Sequence, residues 1–207
     1  MTTKEQTTRS EGRDAVEDTA RPSPRELILY IVIAILVAVI VYFLPDIYFS
    51  FYLAIPTAYL SSVMLNGLGL PLPFVVDWAN YGVFVGNTVG HSYQIIKDCT
   101  GVQVIAVFAG LIFPLPRGTW RRKGLAMAVV SVILFIANVL RVVYEIWLVE
   151  MGILPWELAH YPMSFVLGVA GVFVLCLVAI WLLPGFIETY EDMLFYLFPP
   201  KTKETTT

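Results

Sequence analysis

The length of its apolar runs limits this chain more than any other feature. Leu27 to Leu44 runs for 18 residues, Gly124 to Leu148 for 25 and Tyr161 to Leu183 for 23, and only the second carries Lys, Arg, Asp or Glu. At a rise of about 1.5 Å per residue, each is long enough for a hydrocarbon core of roughly 30 Å. The run from Cys99 to Leu115 is near the lower limit. With 58% hydrophobic residues, 14% charged and a mean hydropathy of +0.76, the composition is that of a membrane protein. A net charge of −3 and a pI near 5.4 leave no basic surface for nucleic acid. Cys99 and Cys176 form no C-x-x-C pair and join no Cys/His cluster, which argues against a disulfide framework or a zinc site.

The first 26 residues mix five Lys/Arg with six Asp/Glu and contain "RPSP". Too polar to order themselves by burial, residues 1–26 are expected to be a disordered cytoplasmic tail with no signal peptide. Residues 185–207 read as a polar C-terminal tail, leaving 27–184 as a membrane-embedded catalytic domain. The loop "PRGTWRRKG" crowds Arg117, Arg121, Arg122 and Lys123 between two spans. Basic residues in short loops stay in the cytoplasm, so Cys99 and the 149–160 connection, which lacks Lys and Arg, fall at the outer face. Tyr48 to Leu70 is apolar enough to cross but is broken by Pro56 and dotted with Ser, Thr, Tyr and Asn. One crossing before it and an external Cys99 after it favour an interfacial or re-entrant helix. The rival is a fifth span with an external N-terminus. Further on, "YGVFVGNTVGHSYQII" sets β-branched and aromatic residues around a Gly-Asn-Thr centre, the pattern of a small external β-hairpin. The expected fold is therefore an all-α polytopic membrane protein with four or five transmembrane helices, an interfacial helix and that hairpin.

An ionisable group within a span costs about 2.5–3.5 kcal/mol on insertion scales, so such groups are seldom accidental. Arg141 lies 17 positions past Gly124, about 26 Å from the cytoplasmic end, and the 18 positions from Arg117 back to Cys99 cover about 27 Å. Thiol and guanidinium thus share one depth, and His160, which opens the last span, shares it too. Asn138, Arg141 and Glu145 are spaced three and four apart, along one helix stripe where Glu145 can pair with Arg141. Taken alone, that pair reads as structural. Cys99 starts a helix, where the macrodipole and a nearby Arg or His would lower its pKa. Asp98 opposes this by its charge, although it can serve as the N-cap. Thr100, Gly101 and Gln103 shape the turn or simply begin a helix. His91, on the hairpin, competes with His160 as the base, and Cys176 is a packing residue.

Cys-Thr-Gly before one span, Asn-x-x-Arg late in the next and a His opening a third resemble the archaeosortase/exosortase family. The resemblance covers roughly residues 50 to 183, and Cys-Thr-Gly-Val-Gln looks closer to a compact archaeosortase of the archaeal branch. It implies a membrane-embedded cysteine transpeptidase or protease that cleaves the C-terminal sorting signal of exported surface proteins: a short motif, a transmembrane helix and a basic tail. It also implies Cys99 as nucleophile, with Arg141 and His160 as its catalytic partners, and transfer of the acyl group to a membrane lipid. The chemistry is consistent with this: amide cleavage with acyl retention needs a nucleophile, a proton carrier and an oxyanion stabiliser. Asn138, Thr100, Gly101, Gln103 and Glu145 would bind substrate or support these groups. No cofactor and no metal are called for. The expected setting is the plasma membrane, multi-pass, with the active site at the outer face. An alternative from another class is a non-enzymatic membrane subunit, a transporter or assembly component with Cys99 idle. A thiol–quinone oxidoreductase would need a second cysteine nearby, and Cys176 is mid-span.

Overall fold

The computed structural model describes residues 23–43, 48–86 and 91–197, so positions 1–22 of the tail expected over 1–26, and positions 198–207 of the tail expected over 185–207, lie outside the described residues. Helix α1, Pro24–Phe43, begins at a capping box: Glu26 N–H reaches Ser23 Oγ at 3.4 Å, and Ser23 N–H reaches Glu26 Oε2 at 2.6 Å. Pro24 occupies the first helical position, where its missing N–H is no loss. The helix therefore starts a few residues inside the stretch expected as tail.

The chain continues through α2 (Tyr48–Gly67), strands β1 (Phe74–Asp77), β2 (Gly82–Gly86) and β3 (Ser92–Gln94), and a 3₁₀ turn at Lys97–Thr100. Helices α3 (Val102–Ile112), α4 (Trp120–Glu150), α5 (Trp156–Leu182) and α6 (Gly185–Leu197) follow. Among the described residues, α1, α4 and α5 are long and apolar enough to cross a membrane. Helix α3 has 11 residues, about 16 Å, and α2 has 20. Ile28, Val132, Phe165 and Trp181 point outward from the three long helices, as side chains facing lipid do. The protein is a helical membrane protein with a small sheet.

Helices α1 and α3 run antiparallel in close contact. Tyr30 Oη donates to Leu111 O at 2.9 Å near one end. Near the other, Lys97 Nζ donates to Tyr42 O at 2.9 Å and lies 4.2 Å over the Tyr42 ring. Gly110 permits the approach: a Cβ there would stand 2.4 Å from Ala34 O and 2.9 Å from Ala38 Cβ. Small residues at a crossing are how helices pack where apolar burial offers no gain over lipid.

At the basic-loop end, Lys123 is buried and donates to Phe113 O at 3.2 Å and to Leu115 O, placing a cation on the carbonyls that end α3. Arg117 pairs with Asp192 at 2.9 Å and Glu188 at 3.5 Å, clamping α6 to the loop. Residues 185–197, read from sequence as the start of a polar tail, form this helix because Phe186, Tyr190 and Met193 share a stripe that packs among Tyr30, Ile112 and Leu115.

The opposite end holds a second core. Phe51, Ala54, Ala58 and Leu65 of α2 meet Val83 and Val85 of β2, Cys99, and Val139 to Ile146 of α4. The sheet is antiparallel in the order β1-β2-β3. The expected hairpin is β2–β3; its tip at 87–90 lies outside the described residues, and β1 adds a third strand. Helix α2 lies along this sheet, with Ser62 Oγ donating to Leu72 O at 2.6 Å, Tyr59 against Phe74 and Phe51 against Trp78. It therefore belongs to the end of the molecule that holds Cys99.

Candidate active site

Cys99 sits in the 3₁₀ turn between β3 and α3. Gly101, at φ +74°, ends that turn and starts α3 at Val102, a conformation that favours glycine. Asp98 does not act as an N-cap; it is exposed and accepts a hydrogen bond from Gln103 Nε2. Thr100 Oγ1 donates to Lys97 O at 2.6 Å. Thr100, Gly101 and Gln103 thus hold the shape of the turn. Asn138 Nδ2 of α4 donates to Cys99 O, which ties the turn to the long helix at the depth of Arg141.

Two helical turns beyond Asn138, Glu145 is 3% exposed and shares its carboxylate among three side chains. Oε2 meets His160 Nδ1 at 3.1 Å, while Oε1 accepts from Ser164 Oγ and lies 3.4 Å from Arg141 Nε. A carboxylate buried this deeply requires such partners. The pairing with Arg141 follows from the i,i+4 spacing; the contacts with His160 and Ser164 cross from α4 to α5. The His160 ring stacks on Trp156, with centroids 4.7 Å apart and planes 9° from parallel. A carboxylate at Nδ1 favours the tautomer protonated there and leaves Nε2 as the basic nitrogen.

Glu145 lines one of two cavities here, and its partners Arg141 and Ser164 line the other. One, about 620 Å³, is lined by Cys99, Glu145 and His160 together with Trp156, Tyr93 and Gln94. The other, about 840 Å³, is a groove among α3, α4 and α5, with Asp98, Gln103, Asn138, Arg141 and Ser164 at its polar end and apolar walls that include Leu134, Val169 and Val172. Cys99 and His160 therefore share a cavity, whereas Arg141 faces the groove and reaches the thiol through its charge. His91 is exposed at the rim of the smaller cavity, 3.4 Å from Glu150 Oε1. Cys176 packs in the core at the basic-loop end.

Burial pushes the Cys99 thiol above its ordinary pKa; a backbone hydrogen bond at Ile96 and the Arg141 charge pull it down, and Glu145 and Asp98 add to the rise. This reverses the lowered value expected of a cysteine at a helix start. The turn is enclosed in the core beneath α2 and α4, and Gly101 separates the thiol from the first turn of α3. Trp156 and Ser164 were not singled out from sequence, although each lies four residues from His160 and so on its face of α5.

The family model for transmembrane exosortases (Exosortase_EpsH) matches residues 21–182. The chain belongs to the transmembrane exosortase family. No curated protein and no solved structure matches it. The matched span takes in α1 to α5 and every residue of the Cys99 cavity, and it holds for the family as a whole without separating the archaeal branch from the rest. Exosortases are cysteine transpeptidases of the membrane that act on sorting signals.

Proposed function

We propose that this exosortase cleaves the C-terminal sorting signal of exported surface proteins through an acyl-enzyme on Cys99. The observation that carries the reading is the 3.1 Å contact between Glu145 and His160 Nδ1, on the wall of the cavity that Cys99 also lines. With the resting thiol protonated, His160 Nε2 takes the proton as sulfur attacks the peptide carbonyl. The imidazolium so formed is stabilised by Glu145 and returns the proton to the leaving amine, which leaves a thioester on Cys99. Transfer to an amine-bearing membrane lipid makes the enzyme a transpeptidase; transfer to water makes it a protease. Arg141, held 3.4 Å from Glu145, supplies positive charge beside the reacting sulfur and steadies the oxyanion or the substrate. The apolar groove receives the substrate's transmembrane helix. The basic loop, at the opposite end from Cys99, supports a site at the outer face of the plasma membrane. A purely structural subunit would explain the partners of Glu145, but it gives no reason for a cysteine and a histidine to line one cavity.

The test is co-expression of wild type and Cys99→Ala with exported proteins that end in a motif, an apolar span and a basic tail, followed by mass spectrometry of their C-termini. Tail loss with wild type alone is expected, and the new terminal mass identifies the acceptor. Equal processing by both chains, or none across a complete set of tailed proteins, would overturn the proposal.

A further inference from the structure

The cavity around Cys99 has a wall that the chemistry above does not use. Ser92, Tyr93, Gln94, Ile95 and Ile96 line it together with Cys99 and His160. Strand β3 is an edge strand, paired only with β2 among the described strands. The ladder shows which of its backbone groups are free. Ile95 N–H donates to Val83 O at 2.8 Å, and Gly86 N–H donates at 2.9 Å to Pro73 O just before β1. Backbone groups alternate along a strand, so Val83 and Val85 face β3, while Tyr93, opposite Val85, and Ile95 face β2. Gln94, between them, therefore turns its N–H and C=O away from the sheet, as does Ser92. An edge of unpaired donors and acceptors is a template for one more strand.

We infer that this edge docks the peptide segment next to the scissile bond in extended form, as a fourth strand whose backbone pairs with Gln94. The inference rests on Cys99 being the acyl acceptor and adds how the substrate chain is presented to it. The occupant is an extended peptide because the edge offers backbone hydrogen bonds in alternation and shares one cavity with the nucleophile and its base. Pairing through main-chain groups gives affinity that is indifferent to side chains, and it straightens the peptide beside Cys99. It also leaves the apolar groove to the following span, so the two cavities take the two halves of one substrate.

Proline at position 94 removes the outward N–H while leaving the bonds of Tyr93 and Ile95 to β2 in place, since edge strands accept proline at such positions. In the full chain, Gln94→Pro is expected to process tailed substrates about tenfold more slowly than Gln94→Ala, which keeps the N–H. Protection of the Ile95 amide in the proline variant reports that the ladder is intact. A second measurement does not depend on turnover: hydrogen exchange on the Cys99→Ala chain, with and without a synthetic peptide spanning the motif of a tailed protein. Slowed exchange at Gln94 on adding peptide is expected. Equal processing by the two Gln94 variants with the ladder intact, or unchanged exchange at Gln94, overturns the docking mode and leaves the role of Cys99 untouched. Slowed exchange with no Cys99-dependent processing by wild type would instead refute the chemistry.

Discussion

Changing Gly110 to alanine adds a single Cβ at the crossing of α1 and α3, and the structure sets its cost. That atom would lie 2.4 Å from Ala34 O and 2.9 Å from Ala38 Cβ, where ordinary contact begins near 3.4 Å. The helices must part by about 1 Å, and the nearest clashing atom is a backbone carbonyl that cannot rotate aside. Overpacking of this kind costs about 1–3 kcal/mol, here toward the upper end. Alanine's better helix propensity returns about 1 kcal/mol, for a net loss of about 2 kcal/mol. Gly124, in α4, is the internal comparison, because a Cβ there meets nothing within 4 Å. Gly124→Ala should therefore gain up to about 1 kcal/mol. At roughly 2–4 °C per kcal/mol for a chain of this size, thermal unfolding in one detergent should place Gly110→Ala about 4–8 °C below wild type and Gly124→Ala at or above it. Separation of α1 from α3 also strains the Lys97–Tyr42 latch, two residues before Cys99, so processing should fall along with stability. If Gly110→Ala proves as stable as Gly124→Ala, the close crossing is wrong.

Glu145→Gln removes the charge proposed to steady the His160 imidazolium, so processing should drop by about 10²- to 10⁴-fold, the range a positioned acid–base group contributes; a drop under tenfold would show that His160 works without it. Because burial raises the Cys99 pKa, its thiolate should be scarce at neutral pH, and alkylation by a small neutral reagent in a Cys176→Ala chain should keep accelerating beyond the ordinary thiol range near 8.5. A rate already at its plateau near pH 7 would contradict that burial. Gly101→Ala forces a side chain into φ +74° and should cost about 1–2 kcal/mol in thermal unfolding while displacing Cys99, so unchanged stability and processing would show the turn to be tolerant.

The parts of the site that follow a helical period were legible in the sequence. Asn138, Arg141 and Glu145 fall on one stripe because they are spaced three and four apart, depth arithmetic at about 1.5 Å per residue put Cys99 level with Arg141, and His160 opens the last span from the same side. Contacts between elements were not legible. The i,i+4 rule directs Glu145 to Arg141 and is silent about His160 and Ser164, which reach it only after α5 folds back on α4. The thiol was assigned the low pKa of a helix start because the αL glycine that separates it from α3, and the α2 core that encloses it, are tertiary facts. Strand β1, "FVVD" after two prolines, carries too short a pattern to stand apart from a loop until β2 pairs with it. Acidic residues at 188, 191 and 192 hid the apolar stripe of α6, and nothing local marks Gly110 as the point where two helices touch.

The proposed chemistry puts the covalent intermediate on Cys99. Its most direct test is peptide-mapping mass spectrometry of the full chain, mixed with a tailed substrate and quenched in acid within the first turnover. The Cys99 peptide should gain the mass of the substrate's acyl fragment in a bond labile to hydroxylamine, and the adduct should accumulate when the acceptor is withheld. Substrate that loses its tail at the same rate with Cys99→Ala, with no adduct on Cys99 at any time point, would contradict it.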